Sequence, residues 1–388
     1  MVDRISLLPD AIICHILSFL HTKDAVSTSV LSKKWYPLWR FVPNVDLSDE
    51  SVPDTDEKAY ILFREFVLSV LLLRGTSQQI KRFTLKHHHY DNPNLNKWVS
   101  VVLQRGVEHL QLEMCTDCYY HKLPTGIFSC RTLVVLNLDA FYVNVNDVSS
   151  VELPLLKILH LGKFKFTEYR FLIELISGCP NLEDFVAIDV QCEKYGSKGK
   201  LKSITKLKRA TILDCDFEFP LEALYNVEYL NLNIREVSPH YNDMPAFYNL
   251  TEMKLFFYEY RWQQLVELLN HCPKLQILKI HMSFGMEHDE NWACPRFVPE
   301  CVLLHLRECS IYEYGGMEGE LQFARYILQN TRVLQTMKVH SFMSSSSDKK
   351  FQLLQELSLC PRGSATSKLL HYIHIRRIAA IVESEWKA

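Results

Sequence analysis

Glycine is scarce in this sequence, with 12 in 388 residues, and nowhere is it spaced as a phosphate-cradling loop or a nucleophile elbow. Nucleotide-dependent and serine-hydrolase chemistries therefore have no motif to stand on. An excess of one charge is also missing: 43 Lys and Arg face 45 Asp and Glu, for a formal net charge of -2. That balance gives no broad pull toward nucleic acid or an anionic membrane, so neither is an expected partner. Long apolar runs are absent too. The longest, Phe66 to Leu73, is interrupted by Ser69 and flanked by Arg64, Glu65 and Arg74. It falls well short of the about 20 residues that a bilayer-spanning helix needs. The first ten residues lack the apolar run of a secretory signal and the arginine-rich character of a transit peptide, so export is not expected. No basic cluster stands out as an address, which leaves nucleus and cytoplasm both open.

What is present is an ordinary globular composition, 48% hydrophobic and 23% charged, with length for roughly two or three domains. The 12 cysteines are scattered from Cys14 to Cys360, most of them inside apolar runs, which fits reduced thiols packed as small hydrophobes. Cys115 and Cys118 form a lone Cys-x-x-Cys with Cys130 as the one further candidate. Zinc wants a second pair at set spacing, so buried thiols are the favoured reading. His87-His88-His89 is a triplet, but on a strand alternate members face opposite sides, and it reads as a solvated edge. No cofactor or metal is expected.

Three periodicities divide the chain. Between Leu7 and Arg40 the spacing is helical: Ile13, Ile16, Leu17 and Leu20 form an apolar stripe after Pro9 and Asp10, which suit a helix start. Thr22 reads as the cap of a second helix. Ser32 reads as the cap of a third that carries Trp35, Leu38 and Trp39, with Pro37 forcing a kink or a late start. An acidic, proline-containing linker at 52–57 and a helix over about Ala59 to Arg74 follow.

Beyond that helix an apolar pattern Leu-x-x-Leu-x-Leu recurs, with starts at Ile80, Val107, Leu133, Leu156, Leu182, Leu207, Val227, Leu250, Leu275, Leu306 and Leu334. The steps of 20 to 31 residues are close to those of a unit that supplies one strand and one return segment. Leu182/Phe185/Ala187 and Leu207/Ala210/Ile212 are poor copies. Two returns read as helices, Phe171 to Ser177 and Gln263 to Asn270, each followed by Cys-Pro. One strand cannot bury its three apolar side chains alone, so the copies must stack as a solenoid. Strand alternation then gathers His109, Gln111, Glu113, Asn137, Asp139, His160, Tyr229, Asn231, Asn233, Glu252, Lys254, Lys279 and His281 on one common concave surface. As a whole, that surface suits protein or small-ligand recognition better than a phosphate backbone; position by position, plain solvation is the simpler reading. Ser344 to Ser347 reads as a solvated loop, and Leu369 to Trp386 as one more amphipathic helix.

Residues 4–47 resemble the F-box of plant proteins: Leu8-Pro9-Asp10, Ile16-Leu17-Ser18-Phe19-Leu20, Lys23-Asp24-Ala25, Thr28 through Trp35, Leu38-Trp39 and Asp46-Leu47. Residues 290–367 resemble the FBD domain that follows leucine-rich repeats in the same plant family. The matching run includes Trp292, Val298-Pro299-Glu300-Cys301, Tyr314-Gly315-Gly316, Glu320, Leu334-Gln335-Thr336-Met337 and Pro361-Arg362-Gly363-Ser364. Ser367 stands where a cysteine is typical of that family.

The resemblance implies an α/β chain: a three-helix F-box at 1–47, a linker and capping helix at 48–79, a leucine-rich-repeat horseshoe at 80–289, an FBD region continuing the repeat at 290–367, and a tail at 368–388. It also implies a non-catalytic substrate receptor of a cullin-type ubiquitin ligase, joined to the cullin through a Skp-family adaptor and carrying a target protein of unknown identity. By motif, Leu8, Pro9, Ile13, Ile16, Leu17, Leu20, Val30, Leu31 and Trp35 are the implied adaptor contacts. The candidate target contacts are His109, Gln111, Asn137, His160, Tyr229, Asn231, Lys254 and Lys279. A module of roughly 40 residues has trouble completing its own core, which agrees with a partner's surface covering it. A leucine-rich-repeat interaction scaffold whose F-box is vestigial, or serves something other than a ligase, is the alternative.

Overall fold

The computed structural model describes residues 4–50, 52, 56–75, 78–88, 93–114, 120–194, 204–233, 244–257, 262–282, 292, 295–342 and 355–374. The Cys115/Cys118 pair, His89, the serine loop at 344–347 and the tail beyond 374 lie outside them. The chain forms two compact units, 1–201 and 202–388.

The first unit opens with two short helices, α1 (Asp10–Leu17) and α2 (Thr22–Ser27). The expected third helix is replaced by a 3-10 turn at Thr28–Val30, turns over 33–37 and a second 3-10 turn at Leu38–Phe41. Pro37 is the physical reason: it cannot donate an amide hydrogen and disfavours the α region at Tyr36, so helical structure restarts only after it. Ser32 still caps a turn, its hydroxyl accepting the Trp35 N–H at 3.4 Å. Thr22 is not a cap either. It lies inside the first turn of α2, and its hydroxyl accepts the Asp46 N–H at 2.8 Å.

The strands of this unit are β1 (Asn44–Ser48), β2 (Arg82–His87), β3 (His109–Met114), β4 (His121–Lys122), β5 (Val135–Val143), β6 (Ile158–Glu168) and β7 (Asp184–Lys194). They pair in parallel in the order β1-β2-β3-β5-β6-β7, with β4 alongside the end of β5. The returns include α3 (Glu57–Leu73), α4 (Leu95–Gln104) and α5 (Arg170–Ser177). In the second unit β8 (Arg209–Leu213), β9 (Tyr229–Asn233), β10 (Glu252–Phe257), β11 (Ile277–Met282), β12 (Glu308–Tyr312), β13 (Thr336–Phe342) and β14 (Lys368–His374) form a parallel sheet in chain order. Its helical returns include α6 (Trp262–Asn270), α7 (Glu300–Leu304) and α8 (Glu318–Asn330).

Each of the eleven repeat starts read from the sequence lies two residues ahead of a strand, and each is fully buried. The two poor copies form strands as well, since Phe185, Ala187, Ala210 and Ile212 are all buried. In a parallel ladder a short inward side chain is tolerated when its neighbours fill the layer. A twelfth copy hides inside the F-box match: Val42, Val45 and Leu47 are buried in the same spacing, and β1 pairs Val45 with Phe83 and Leu47 with Leu85. The repeat sheet therefore begins at 44, ahead of α3. At the other end, residues 368–374, expected to be helical, form β14, whose Lys368 to His374 pair one-to-one with Thr336 to Phe342. The apolar spacing there serves either period, and the exposed edge of β13 decides for the strand.

Buried polar groups join the first strands to the helices. Arg74, at the end of α3, is 2% exposed; its guanidinium donates to the Val42 carbonyl and to the Trp39 carbonyl at 3.1 Å, and lies 5.7 Å from the Trp39 ring. Burial and the nearby Arg105 push its pKa down to about 10. At the ends of β1 and β2, Asp49 is paired with His87 Nδ1 at 2.6 Å and receives the His88 N–H at 2.8 Å. Burial alone raises the Asp49 pKa, but these hydrogen bonds outweigh it and hold the carboxyl below its ordinary range. His87 is thus a fully buried partner rather than a solvated edge. The thiols of Cys179, Cys301 and Cys309 are pushed up to about 12 by burial, so they are protonated packing groups.

Candidate functional site

The first 41 residues divide their apolar side chains between two sides. Ile13 (0% exposed) and Leu17 (1%) point inward from α1, which packs on the 38–41 turn where Leu38 and Trp39 are buried. Trp35, 7% exposed, donates from its indole N–H to the Ser6 hydroxyl at 2.7 Å. Lys34 holds the chain ahead of α1 by donating to the carbonyls of Ser6 and Leu8 at 2.8 and 2.7 Å, 3.5 Å from the Asp10 carboxylate. The His21 imidazole meets Asp46 at 2.6 Å, fixing the start of α2 to β1.

The other side is open. Ile16 and Leu20 are exposed, as are Val30 (87%) and Leu31, while Leu8 is half-buried and Pro9 exposed. Sequence reading missed six further exposed apolar side chains in this stretch: Ile5, Leu7, Ile12, Phe19 (77%), Tyr36 and Phe41. Ile12 and Ile16 share one face of α1, four residues apart, and Phe19 follows three residues on in the turn that ends the helix. That spacing was the available signal, but it runs beside the Ile13/Leu17 spacing, and the stripe Ile13/Ile16/Leu17/Leu20 mixes the two. Of the nine motif residues, Ile13, Leu17 and Trp35 build the support and the other six lie on or beside the open side.

This much exposed apolar surface in one 40-residue stretch is more than scattered exposure, which makes it the first candidate site. Each side chain is worth about 1.5 to 3 kcal/mol when fully covered, so five or six supply roughly 10 kcal/mol against an association cost of about 4 to 15.

The polar face of the strands is the second candidate. In the first unit Gln111, Asn137 and His160 stand side by side across β3, β5 and β6, all half-buried, with His109 one step earlier on β3. Glu113 and Asp139 follow in the next row. Burial, relieved in part by Lys163 but reinforced by Glu113 and Asp189, raises the Asp139 pKa to about 6. In the second unit Tyr229 and Lys279 are half-buried, but Asn231 (0% exposed) and Lys254 (6%) are enclosed, as are Asn233 and His281. In a parallel sheet like-numbered side chains stack in rows less than 5 Å apart, so a residue flanked on both sides loses most of its exposure. These four therefore offer little open surface.

Set against known proteins, the sequence has clear relatives. Residues 5–45 match the F-box domain, 95–218 match the leucine-rich repeats of an FBD-associated F-box protein, and 295–339 match the FBD domain. The F-box/FBD/LRR-repeat protein At4g00160 of Arabidopsis thaliana is 30% identical over 86% of this chain and 85% of its own length. At4g26340, of the same description and organism, is 30% identical over 95% of this chain and 100% of its own. The F-box/LRR-repeat protein At4g14103 reaches 43% over 48% of this chain and 50% of its own.

An F-box followed by leucine-rich repeats and an FBD domain, on a parallel α/β framework, is thus the class of protein defined here. The chain belongs to the plant F-box/FBD/LRR-repeat family.

The FBD motif residues turn out to be structural. One oxygen of Glu320, a side chain only 1% exposed, accepts the N–H groups of Gly315, Gly316 and Met317 at 2.9, 2.7 and 3.2 Å, closing the start of α8. Gly363 passes the end of α8 so closely that a Cβ would lie 2.5 Å from the Gln329 carbonyl oxygen, and Ser364 donates to the Leu334 carbonyl at 2.8 Å. Ser367, where a cysteine was expected, donates to the Ser364 carbonyl at 3.0 Å, so a hydroxyl has a partner there.

Proposed function

We propose that this protein is the target-recognition subunit of a Skp–cullin–F-box ubiquitin ligase, its F-box seated on a Skp-family adaptor and through it on the cullin. The observation that supports this best is the open apolar side of residues 7–36, standing on an inner side that the chain has already filled. Ile16, Leu20, Val30 and Leu31, with Ile12 and Phe19, are the side chains the adaptor would cover. Ile13, Leu17 and Trp35 would act by holding them in place.

On this reading the chain carries out no bond chemistry itself. It brings a target's lysines beside a ubiquitin-charged enzyme, and rate comes from effective concentration and orientation. The polar face of the strands is where the target would bind. The horseshoe course of the repeats and a place in the nucleus or cytoplasm belong to the same proposal.

Co-expression with a plant Skp-family adaptor tests it. A stable one-to-one complex in size-exclusion chromatography is the expected result. Persistent failure under reducing, low-detergent conditions would leave the chain a repeat scaffold with a vestigial F-box.

A further inference from the structure

Across the second unit one row of the sheet's polar face is a continuous stack of rings: Phe256, His281, Tyr312, His340 and Tyr372, register neighbours on β10 to β14. Successive centroids lie 4.6, 4.3, 4.3 and 4.8 Å apart, with interplanar angles of 19°, 3°, 15° and 15°. The rings are therefore face to face: the three inner ones spend both faces on their neighbours, and Phe256 and Tyr372 each keep one face outside the stack. The inner rings have only their edges left to meet anything else.

Ring edges carry the positive end of the aromatic quadrupole, and tyrosine hydroxyls and imidazole N–H groups add donors, so the row is built to meet an electron-rich partner. The adjacent rows agree. Among the described residues on this face of the second unit, Arg209, Lys254, Lys279, Lys338 and Lys368 are opposed by Glu252 and Glu308, five cations against two carboxylates. On the corresponding face of the first unit Arg82 and Lys86 are opposed by Asp46, Glu113, Asp139 and Asp184. A chain with a net charge of -2 thus carries +3 on one of these faces and -2 on the other.

Exposure narrows the place. His281 and Lys254 are enclosed, Tyr312, Lys338 and His340 are half-buried, and Leu370 and Tyr372 (41%) are open. The accessible end is therefore β12 to β14.

From this we infer that the β12–β14 face, through Tyr312, Lys338, His340, Leu370 and Tyr372, binds an acidic peptide segment of the target with aromatic side chains. A nucleic-acid strand is disfavoured because, the outer faces of the two end rings apart, the ring faces that bases would stack on are taken. The inference rests on the receptor reading in naming a target, but the surface is measurable without it.

The experiment uses the full chain co-purified with its adaptor and follows fluorescence anisotropy of labelled poly(Glu,Tyr) and poly(Lys,Tyr) copolymers at low and high salt. Poly(Glu,Tyr) should bind about tenfold or more tightly than poly(Lys,Tyr) and weaken as salt rises. Lys338→Glu and Tyr372→Ala should each lose most of that preference with the thermal melt retained, and Lys86→Glu in the first unit should leave it unchanged. Equal binding of both copolymers, or equal loss in Lys86→Glu, would overturn the inference. A chain that holds poly(Glu,Tyr) but no adaptor keeps this surface and loses the receptor reading; the reverse result removes the surface alone.

Discussion

Replacing Arg74 by methionine should loosen the F-box from the repeat sheet while leaving the rest of the first unit folded. The guanidinium donates to two buried carbonyls, Val42 and Trp39, on the segment that ends the F-box and enters β1. Two hydrogen bonds from a charged donor are worth about 3 to 6 kcal/mol, and the carbonyls left behind cost about 1 to 3 each. Against this stands the relief of a buried charge: with the pKa pushed down to about 10, holding the cation costs about 3 kcal/mol. Methionine keeps the stem's packing, so the net loss is about 2 to 9 kcal/mol. Hydrogen exchange read by mass spectrometry should show residues 38–48 opening while β5 to β7 stay protected, with a lowered urea midpoint. Arg74→Lys should rescue little, because one ammonium cannot reproduce a fork to two acceptors. An unchanged urea midpoint together with unchanged exchange at 38–48 would refute the reasoning.

Acid should weaken the second unit earlier than the ordinary carboxylate range. Burial, then Lys254, His340 and Lys279, hold the His281 pKa down at about 3, so the unfolded chain binds its proton first. Stability is full above about pH 6.5 and falls by up to about 1.4 kcal/mol per pH unit toward pH 3. His281→Phe, which keeps a ring in the stack, should flatten that slope in urea titrations across the same range. Glu320→Ala removes the acceptor of three N–H groups and should cost about 3 kcal/mol or more by thermal denaturation. Gly363→Ala forces a methyl against the Gln329 carbonyl and should lower the melting temperature by the equivalent of about 1 to 3 kcal/mol.

The repeats were legible because their signal is redundant. Each unit states its spacing separately, and one inward leucine or valine per strand suffices to place it, so even Leu207/Ala210/Ile212 was placed correctly. The copy at Val42/Val45/Leu47 was hidden because the same residues also end the F-box motif, and a motif match assigns each residue once. The open side of the F-box was only half legible. Periodicity marks apolar residues as alike, and whether Ile13 or Ile16 faces inward depends on the 38–41 turn, a contact distant in sequence. Nothing local told Thr22 from a cap, since its partner is the Asp46 amide 24 residues on. The aromatic row escaped for the same reason: its members lie 25 to 32 residues apart and meet only through strand register.

The central claim is that the chain's outward apolar set near its start is made for another subunit. Isothermal titration of a Skp-family adaptor into the chain tests it with two variants, Ile12→Ser/Ile16→Ser/Phe19→Ser on the open side and Lys86→Glu as a distant control. The account predicts one-to-one binding for the parent and the control, and none for the triple variant, whose thermal melt should stay close to the parent's. A triple variant that binds the adaptor as tightly as the parent would contradict it.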